Sequence, residues 1–274
     1  MVLNAMGDLE GAATLLREVV EVYRETLGDR HMDTLAATTL LGSVLKDMGD
    51  LEGARALLRD ALEGQRETLG DRHRDTLASI NPLGLTLEDM RDLEPAAALY
   101  REALEAQRET NGDRHKHTLA AMGNLASVLK AMGDLEGAAT LLREVVEVLR
   151  ETLGDRHMDT LASIGLLGSV LKRMGDLEGA VTLLREVVGV SRDTLGDRHK
   201  GTLVSMHNLG RALEAQGQLD EAIALFREEL EGNLECYGKD HELTQDLLTK
   251  LSSLLRRAGR HEEAGALLTR VLFL

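Results

Sequence analysis

Between Thr34 and Leu69 the apolar and small residues fall into two sets with three-and-four spacing: Thr38, Leu41, Gly42, Leu45 and Met48, then Leu51, Ala54, Leu57, Leu58, Ala61 and Leu62. Each set forms one stripe on a helix of 3.6 residues per turn, so the segment predicts two amphipathic helices. Gly49-Asp50 separates them, a turn short enough to force antiparallel neighbours. Gly49 is expected to end the first helix and Asp50 to cap the second. Thr34 or Asp33 is expected to cap the first, because a short side-chain oxygen there accepts from an orphan backbone N–H.

The pattern then returns with a fixed step of 42 residues. Gly-Asp-Arg-His begins at Gly28, Gly70, Gly112, Gly154 and Gly196, and Gly-Lys-Asp-His at Gly238. Thr34, Thr76, Thr118, Thr160, Thr202 and Thr244 share one slot; Ala12, Ala54, Ala96, Ala138, Ala180, Ala222 and Ala264 share another. A period of this size marks a solenoid, in which each unit buries its apolar face only against its neighbours. The expected architecture is all-α: a single array over 1–274, with a partial repeat 1–33 and repeats 34–75, 76–117, 118–159, 160–201, 202–243 and 244–274. Such an array predicts a helix-dominated far-UV spectrum and an elongated particle in small-angle scattering.

Composition sharpens this picture. Apolar residues make up 43% of the chain but aromatics only 2%, with no Trp, so Leu, Val, Ala and Met must build a helical core. The formal net charge of -15 opposes binding to nucleic-acid phosphates or anionic membrane surfaces. The single cysteine, Cys236, excludes an intrachain disulfide, and the opening Met-Val-Leu-Asn-Ala-Met-Gly-Asp lacks the organisation of a secretory signal. No apolar run approaches the ~18 residues needed to span a bilayer. The expected location is the cytoplasm.

The sequence Leu41-Gly42-x-x-Leu45 followed by Ala54-x-x-x-Leu58 resembles the tetratricopeptide repeat, Leu-Gly-x-x-Tyr then Ala-x-x-x-Phe. Tyr100 and Phe226 restore the final aromatic, while Leu16, Leu58, Leu142, Leu184 and Leu268 replace it; Thr38 stands in the slot of the family's Trp and Arg66 in that of its terminal Pro. The usual period is ~34 residues, and the excess sits in the connector Glu-Thr-Leu-Gly-Asp-Arg-His-Met-Asp-Thr. A 42-residue period with Gly-x-x-His-x-x-Thr is similar to the repeats of kinesin light chains, and equally to those following nucleotide-binding switch domains in some signalling proteins. Where that family usually has Pro after the His, this chain has Met32, Arg74, Lys116, Met158, Lys200 and Glu242.

Candidate chemistry is sparse. His31, His73, His115, His157, His199 and His241 are too widely spaced for a metal, since equivalent residues of stacked helices lie ~8–10 Å apart and Zn–N bonds are ~2 Å. A structural role beside each helix start is expected. His73-Arg74-Asp75 mimics a kinase catalytic loop, but Asn81 is one residue out of register and no Gly-rich loop accompanies it. No phosphate-binding loop, Cys-x-x-Cys or His-Glu-x-x-His occurs. Neither an enzyme, a cofactor nor a metal is expected.

The resemblance implies that the first helix of each repeat lines a concave groove in a right-handed superhelix. The face opposite its packing stripe carries Ala36, Thr39, Ser43, Lys46 and Asp47, with their counterparts every 42 residues. The candidate peptide-binding residues are Asn124, Ser127, Lys130, Ser169, Lys172, Arg173, Asn208 and Arg211. Asn124 and Asn208 match an Asn with which the family grips peptide backbones; Leu40, Pro82, Leu166 and Lys250 in that slot do not. Lys130, Lys172, Arg173 and Arg211 form an expected cationic strip suited to an acidic peptide, although Lys46, Lys130 and Lys172 also complement the dipoles of their own helices. The function expected is a non-catalytic protein-interaction scaffold of the kinesin light chain-like adaptor type. The alternative is a sensor or autoinhibitory array of a larger nucleotide-binding switch protein; a P-loop domain beside the array in the parent gene distinguishes it from a coiled-coil parent.

Repeat 76–117 is irregular, with Pro82 inside its first helix, Arg91 in place of the turn glycine and Pro95 in a first turn. Drift in a redundant array is the expected explanation. Finally, Val2-Leu3-Asn4-Ala5-Met6-Gly7 aligns with Val44-Leu45-Lys46-Asp47-Met48-Gly49, and Val271-Leu272-Phe273-Leu274 ends apolar. Both ends are expected to present uncapped faces, either because the chain is part of a longer array or because the ends associate between molecules.

Overall fold

Two-residue turns, such as Gly49-Asp50 and Arg91-Asp92, alternate with short Gly-x-x-His connectors between successive helices. The computed structural model describes residues 8–272, in two compact units divided between Asp134 and Leu135. The first unit contains α1 (Leu9–Leu27), α2 (Met32–Asp47), α3 (Leu51–Leu69), α4 (Arg74–Asp89), α5 (Leu93–Asn111) and α6 (Lys116–Met132). The second contains α7 (Leu135–Leu153), α8 (Met158–Met174), α9 (Leu177–Leu195), α10 (Lys200–Gln216), α11 (Leu219–Tyr237), α12 (Glu242–Arg257) and α13 (His261–Leu272). Within each unit every helix packs on the next in the chain, and α2 also touches α4, as α8 touches α10. The division falls inside the predicted repeat 118–159. The alignment of Val2–Gly7 and the apolar ending at Phe273 and Leu274 lie outside the described residues.

The helix starts correct one expectation. The cap of α2 is His31, whose Nδ1 accepts from the Asp33 N–H at 3.2 Å, and neither Thr34 nor Asp33 serves. His73, His115, His157, His199 and His241 repeat this cap. Thr34 lies too far inside the helix to cap it. It is buried instead, and its hydroxyl donates to the Gly28 carbonyl at 2.8 Å, stapling the connector to the helix; Thr76, Thr118, Thr160 and Thr202 do the same to Gly70, Gly112, Gly154 and Gly196. The histidines thus have the structural role their spacing implied.

Asp50 caps α3 as expected, accepting from the Gly53 N–H at 3.0 Å. Asp92 makes no such bond, because Pro95 occupies the slot of Gly53 and has no N–H to give. Pro95 fits the first turn but removes the cap's donor. Pro82 is accommodated inside α4, which continues through to Asp89.

The turn glycines Gly49, Gly133, Gly175, Gly217 and Gly259 all have positive φ, and Arg91, in the same slot, is forced to φ 63. A side chain there strains against its own backbone by roughly 1–2 kcal/mol. Arg91→Gly is therefore expected to raise the stability of the first unit by about 1 kcal/mol, read as a higher denaturation midpoint with the m-value unchanged. A lower midpoint would show that Arg91 contributes a contact worth more than the strain.

Packing between paired helices follows side-chain size. A Cβ added at Gly42 would sit 2.6 Å from Leu58 Cγ, at Gly168 2.8 Å from Leu184 Cγ, and at Gly210 2.5 Å from the Phe226 ring; Gly84 is equally closed by Tyr100. Thr38, in the slot of the family's Trp, is buried with its hydroxyl donating to the Thr34 carbonyl at 2.8 Å. Met48, expected on the packing stripe, is exposed, because it belongs to the turn that leaves the helix. Arg66 replaces the terminal Pro with a different device: its Nη2 donates to both carboxylate oxygens of Glu102 on α5, at 2.6 and 2.7 Å. Arg150 and Arg192 reach Glu186 and Glu228 in the same way at 2.5 Å, so these arginines tie successive second helices together.

Candidate functional site

The face that the repeat pattern leaves unpacked is open in both units. On α2, α4 and α6, the residues from Ala36 to Asp47, Ala78 to Asp89 and Ala120 to Ala131 that share that face are all half-buried or exposed, while Leu41, Leu83 and Leu125 on the other side are buried. Its charges are drawn into pairs. Lys46 Nζ lies 3.2 Å from Asp47 and 3.9 Å from Asp89 on the next first helix. Glu88 accepts from the Tyr100 hydroxyl at 3.1 Å. Burial pushes the Glu88 carboxyl above its ordinary pKa, and Asp89 adds to this, while the Tyr100 bond and the charge of Lys130 oppose it. Tyr100 in turn is raised strongly, by burial first and then by Glu88. Lys130 therefore faces an acid, Glu88, across the helix pair. Asn124 donates from Nδ2 to Asn81 Oδ1 at 2.7 Å, so its amide bridges α6 to α4, and Ser127 lies half-buried one turn along.

The second unit has the same face on α8, α10 and α12 with a different charge pattern. Ser169 and Lys172 are half-buried and Arg173 is exposed. Asn208 is half-buried and Arg211 exposed, each without a hydrogen bond or ion pair among the described residues. Glu214 on α10 receives Lys250 at 2.7 Å and Arg257 at 2.5 Å from α12. Burial works to raise the Glu214 pKa, but these two bonds outweigh it and hold the carboxyl below its ordinary range. Lys250 also stands 5.3 Å over the Phe226 ring. Glu88 and Asp89 in the first unit and Glu214 in the second thus add acids to the faces that carry the basic residues.

Sequence reasoning missed Glu229. It occupies, on α11, the slot that holds Ala61, Ala103, Val145 and Val187 elsewhere, and it is 5% exposed. His207 Nδ1 on α10 lies 3.0 Å from Oε1, while the buried Oε2 has no partner. Burial raises the Glu229 pKa, against the pull of His207 and Lys250. A carboxylate in an otherwise apolar slot was the available signal.

Between α4, α5 and α6 a cleft of about 770 Å³ opens on this face. Leu77, Ile80, Leu85 and Tyr100 supply apolar wall, and Arg74, His115 and His117 stand at the connector end. Asn124 and Asn81, bonded to each other, line it as well. Among the described residues no helix is long and apolar enough to cross a membrane.

Comparison with known proteins agrees with this geometry. A family model described as tetratricopeptide repeat matches residues 1–67, 35–109, 117–193, 159–235 and 216–272. Among solved structures, the nearly identical TPR-like repeats of a protein from Podosopora anserina, provisionally named a kinesin light chain, superpose with a TM-score of 0.67 at 29% identity, covering 76% of this chain and 98% of that one. BtubC (BKLC) from P. vanneervenii superposes with a TM-score of 0.69 at 18% identity, covering 81% and 89%. No curated protein matches the chain.

Proposed function

Because the chain belongs to the tetratricopeptide repeat family, we propose that it is a non-catalytic interaction scaffold that holds a segment of a partner protein on its first-helix faces. The observation that carries this reading is the open face itself: in both units, among the described residues, one side of every first helix is buried and the other is half-buried or exposed. A fold that buries only one side of each first helix spends the other on recognition. The candidate contacts are Asn124, Ser127 and Lys130 in the first unit and Ser169, Lys172, Arg173, Asn208 and Arg211 in the second. A kinesin light chain-like adaptor role in the cytoplasm is supported by the 42-residue repeat with its Gly-x-x-His-x-x-Thr connector and by the similarity to the Podosopora anserina repeats.

The test begins with capture of the partner from source lysate and synthesis of its binding segment. Affinity for an acidic segment should fall as salt rises, and Lys172→Glu with Arg211→Glu should weaken it roughly tenfold while the helical spectrum is kept. Partner binding that ignores both charge reversals and salt, but is lost on substituting exposed residues of the second helices, would remove this face from the function.

A further inference from the structure

The sequence repetition makes the chain its own reference, and several of its departures from that reference share one cleft. Asn111 replaces Leu27, Leu69, Leu153 and Leu195; Asn124 replaces Leu40 and Leu166; His117 replaces Asp33, Asp75 and Asp159. All three line the cleft between α4, α5 and α6, as does Tyr100, the larger residue in the slot of Leu58 and Leu142. We propose that this cleft binds a small organic acid, an apolar body carrying one carboxylate.

The carboxylate end follows from what the third connector lacks. In the first, second and fourth connectors the cap histidine has an Asp carboxylate beside it, at 3.6 Å for His31, 3.8 Å for His73 and 3.7 Å for His157. Beside His115 that acid is replaced by His117, with the two rings 5.1 Å apart. Burial, then His115, Lys116 and Arg74, lower the His117 pKa. Arg74 Nε lies 3.4 Å from Asp75 Oδ1, and both residues line the cleft beside His117. A ligand carboxylate here would stand where the missing Asp stands elsewhere. Gly201 and Leu243 also lack the acid; the ring beside His241 is that of Tyr237, 4.8 Å away, which carries no nitrogen to meet a carboxylate.

Size argues for a compact ligand: the volume of about 770 Å³ falls in the range of small-molecule sites. The hydrogen-bonded pair Asn124–Asn81 lines the wall and supplies polar groups to it. The site shares Asn124 with the partner-binding face, and an acidic peptide therefore stands below as the competing occupant.

The test is titration of the full chain with 3-phenylpropionate and, separately, with its neutral amide, followed by NMR at the side-chain amides of Asn81 and Asn124 and the rings of His115 and His117. Saturable shifts with the acid and none with the amide are expected. His117→Asp restores the residue of the other connectors, so the fold should be kept, as far-UV circular dichroism would check, and affinity should fall roughly tenfold through lost hydrogen bonds and added repulsion. Equal binding of the amide, unchanged affinity in His117→Asp, or no saturable shift at millimolar acid would overturn the proposal. So would an acidic peptide that saturates these resonances where 3-phenylpropionate does not, which would transfer the cleft to the partner-binding face.

Discussion

Gly210→Ala should destabilise the second unit by about 1–3 kcal/mol, a large effect for one methyl group. The added Cβ would lie 2.5 Å from the ring of Phe226, which is fully buried and cannot retreat. The repeat predicts its own remedy. Where the first-helix slot holds Ala126, or Ser252, the second-helix slot holds Leu142 or Leu268; where the second slot is aromatic, at Tyr100 and Phe226, the first is Gly84 or Gly210. Phe226→Leu alone should cost stability by leaving space, but combined with Gly210→Ala it should cost less than the two separately, with a coupling of roughly 0.5–3 kcal/mol. Hydrogen exchange on α10 and α11 is the suitable measurement, since repeat arrays can open locally and a single midpoint would blur the effect. Strict additivity in the double variant would show that the two slots do not read each other's size.

Glu229→Val should stabilise the same unit by about 1–3 kcal/mol at neutral pH, the cost of holding a buried carboxylate oxygen without a partner. Valine already fills this slot at Val145 and Val187, so the backbone accepts it. The penalty in the native protein comes from burying Glu229 with Oε2 unpartnered, which His207 offsets only at Oε1. Because its pKa is raised on folding, the folded chain holds the Glu229 proton more tightly than the unfolded chain does. The contribution of this group to stability is therefore complete below the ordinary glutamate range near ~4.3 and is lost as the pH rises through the folded value. The advantage of the Val variant should shrink on acidification. Chemical denaturation of both proteins between about pH 7 and pH 4 would show it; an advantage that grows on acidification, or a Val variant less stable at neutral pH, would mean that the His207–Glu229 contact outweighs the cost of burial.

Helices, turns and core were legible in the chain because each depends on residues within a few positions of one another. The three-and-four spacing of Leu41, Leu45, Leu58 and Leu62 places them in the core whatever surrounds the repeat, and Gly49-Asp50 reads directly as a stop followed by a cap. Size matching was legible too, because the Gly42–Leu58 approach repeats at Gly168–Leu184. The open face followed by subtraction: once the packing stripe is known, Ala36, Thr39 and Ser43 have nowhere else to go. What the face does chemically was not legible. Lys46–Asp89, Asn124–Asn81, Arg66–Glu102 and His207–Glu229 join residues of different helices, at separations set by how one helix lies against another and not by any helical period. A lysine counted along the chain is a unit charge; packed beside Glu88 or Glu214 it is half of a pair, and only the tertiary structure decides which. The same holds for the cap, where the chain offers Thr34, Asp33 and His31 within one turn, and the buried path of the connector assigns Thr34 to the Gly28 carbonyl and leaves the helix start to the imidazole.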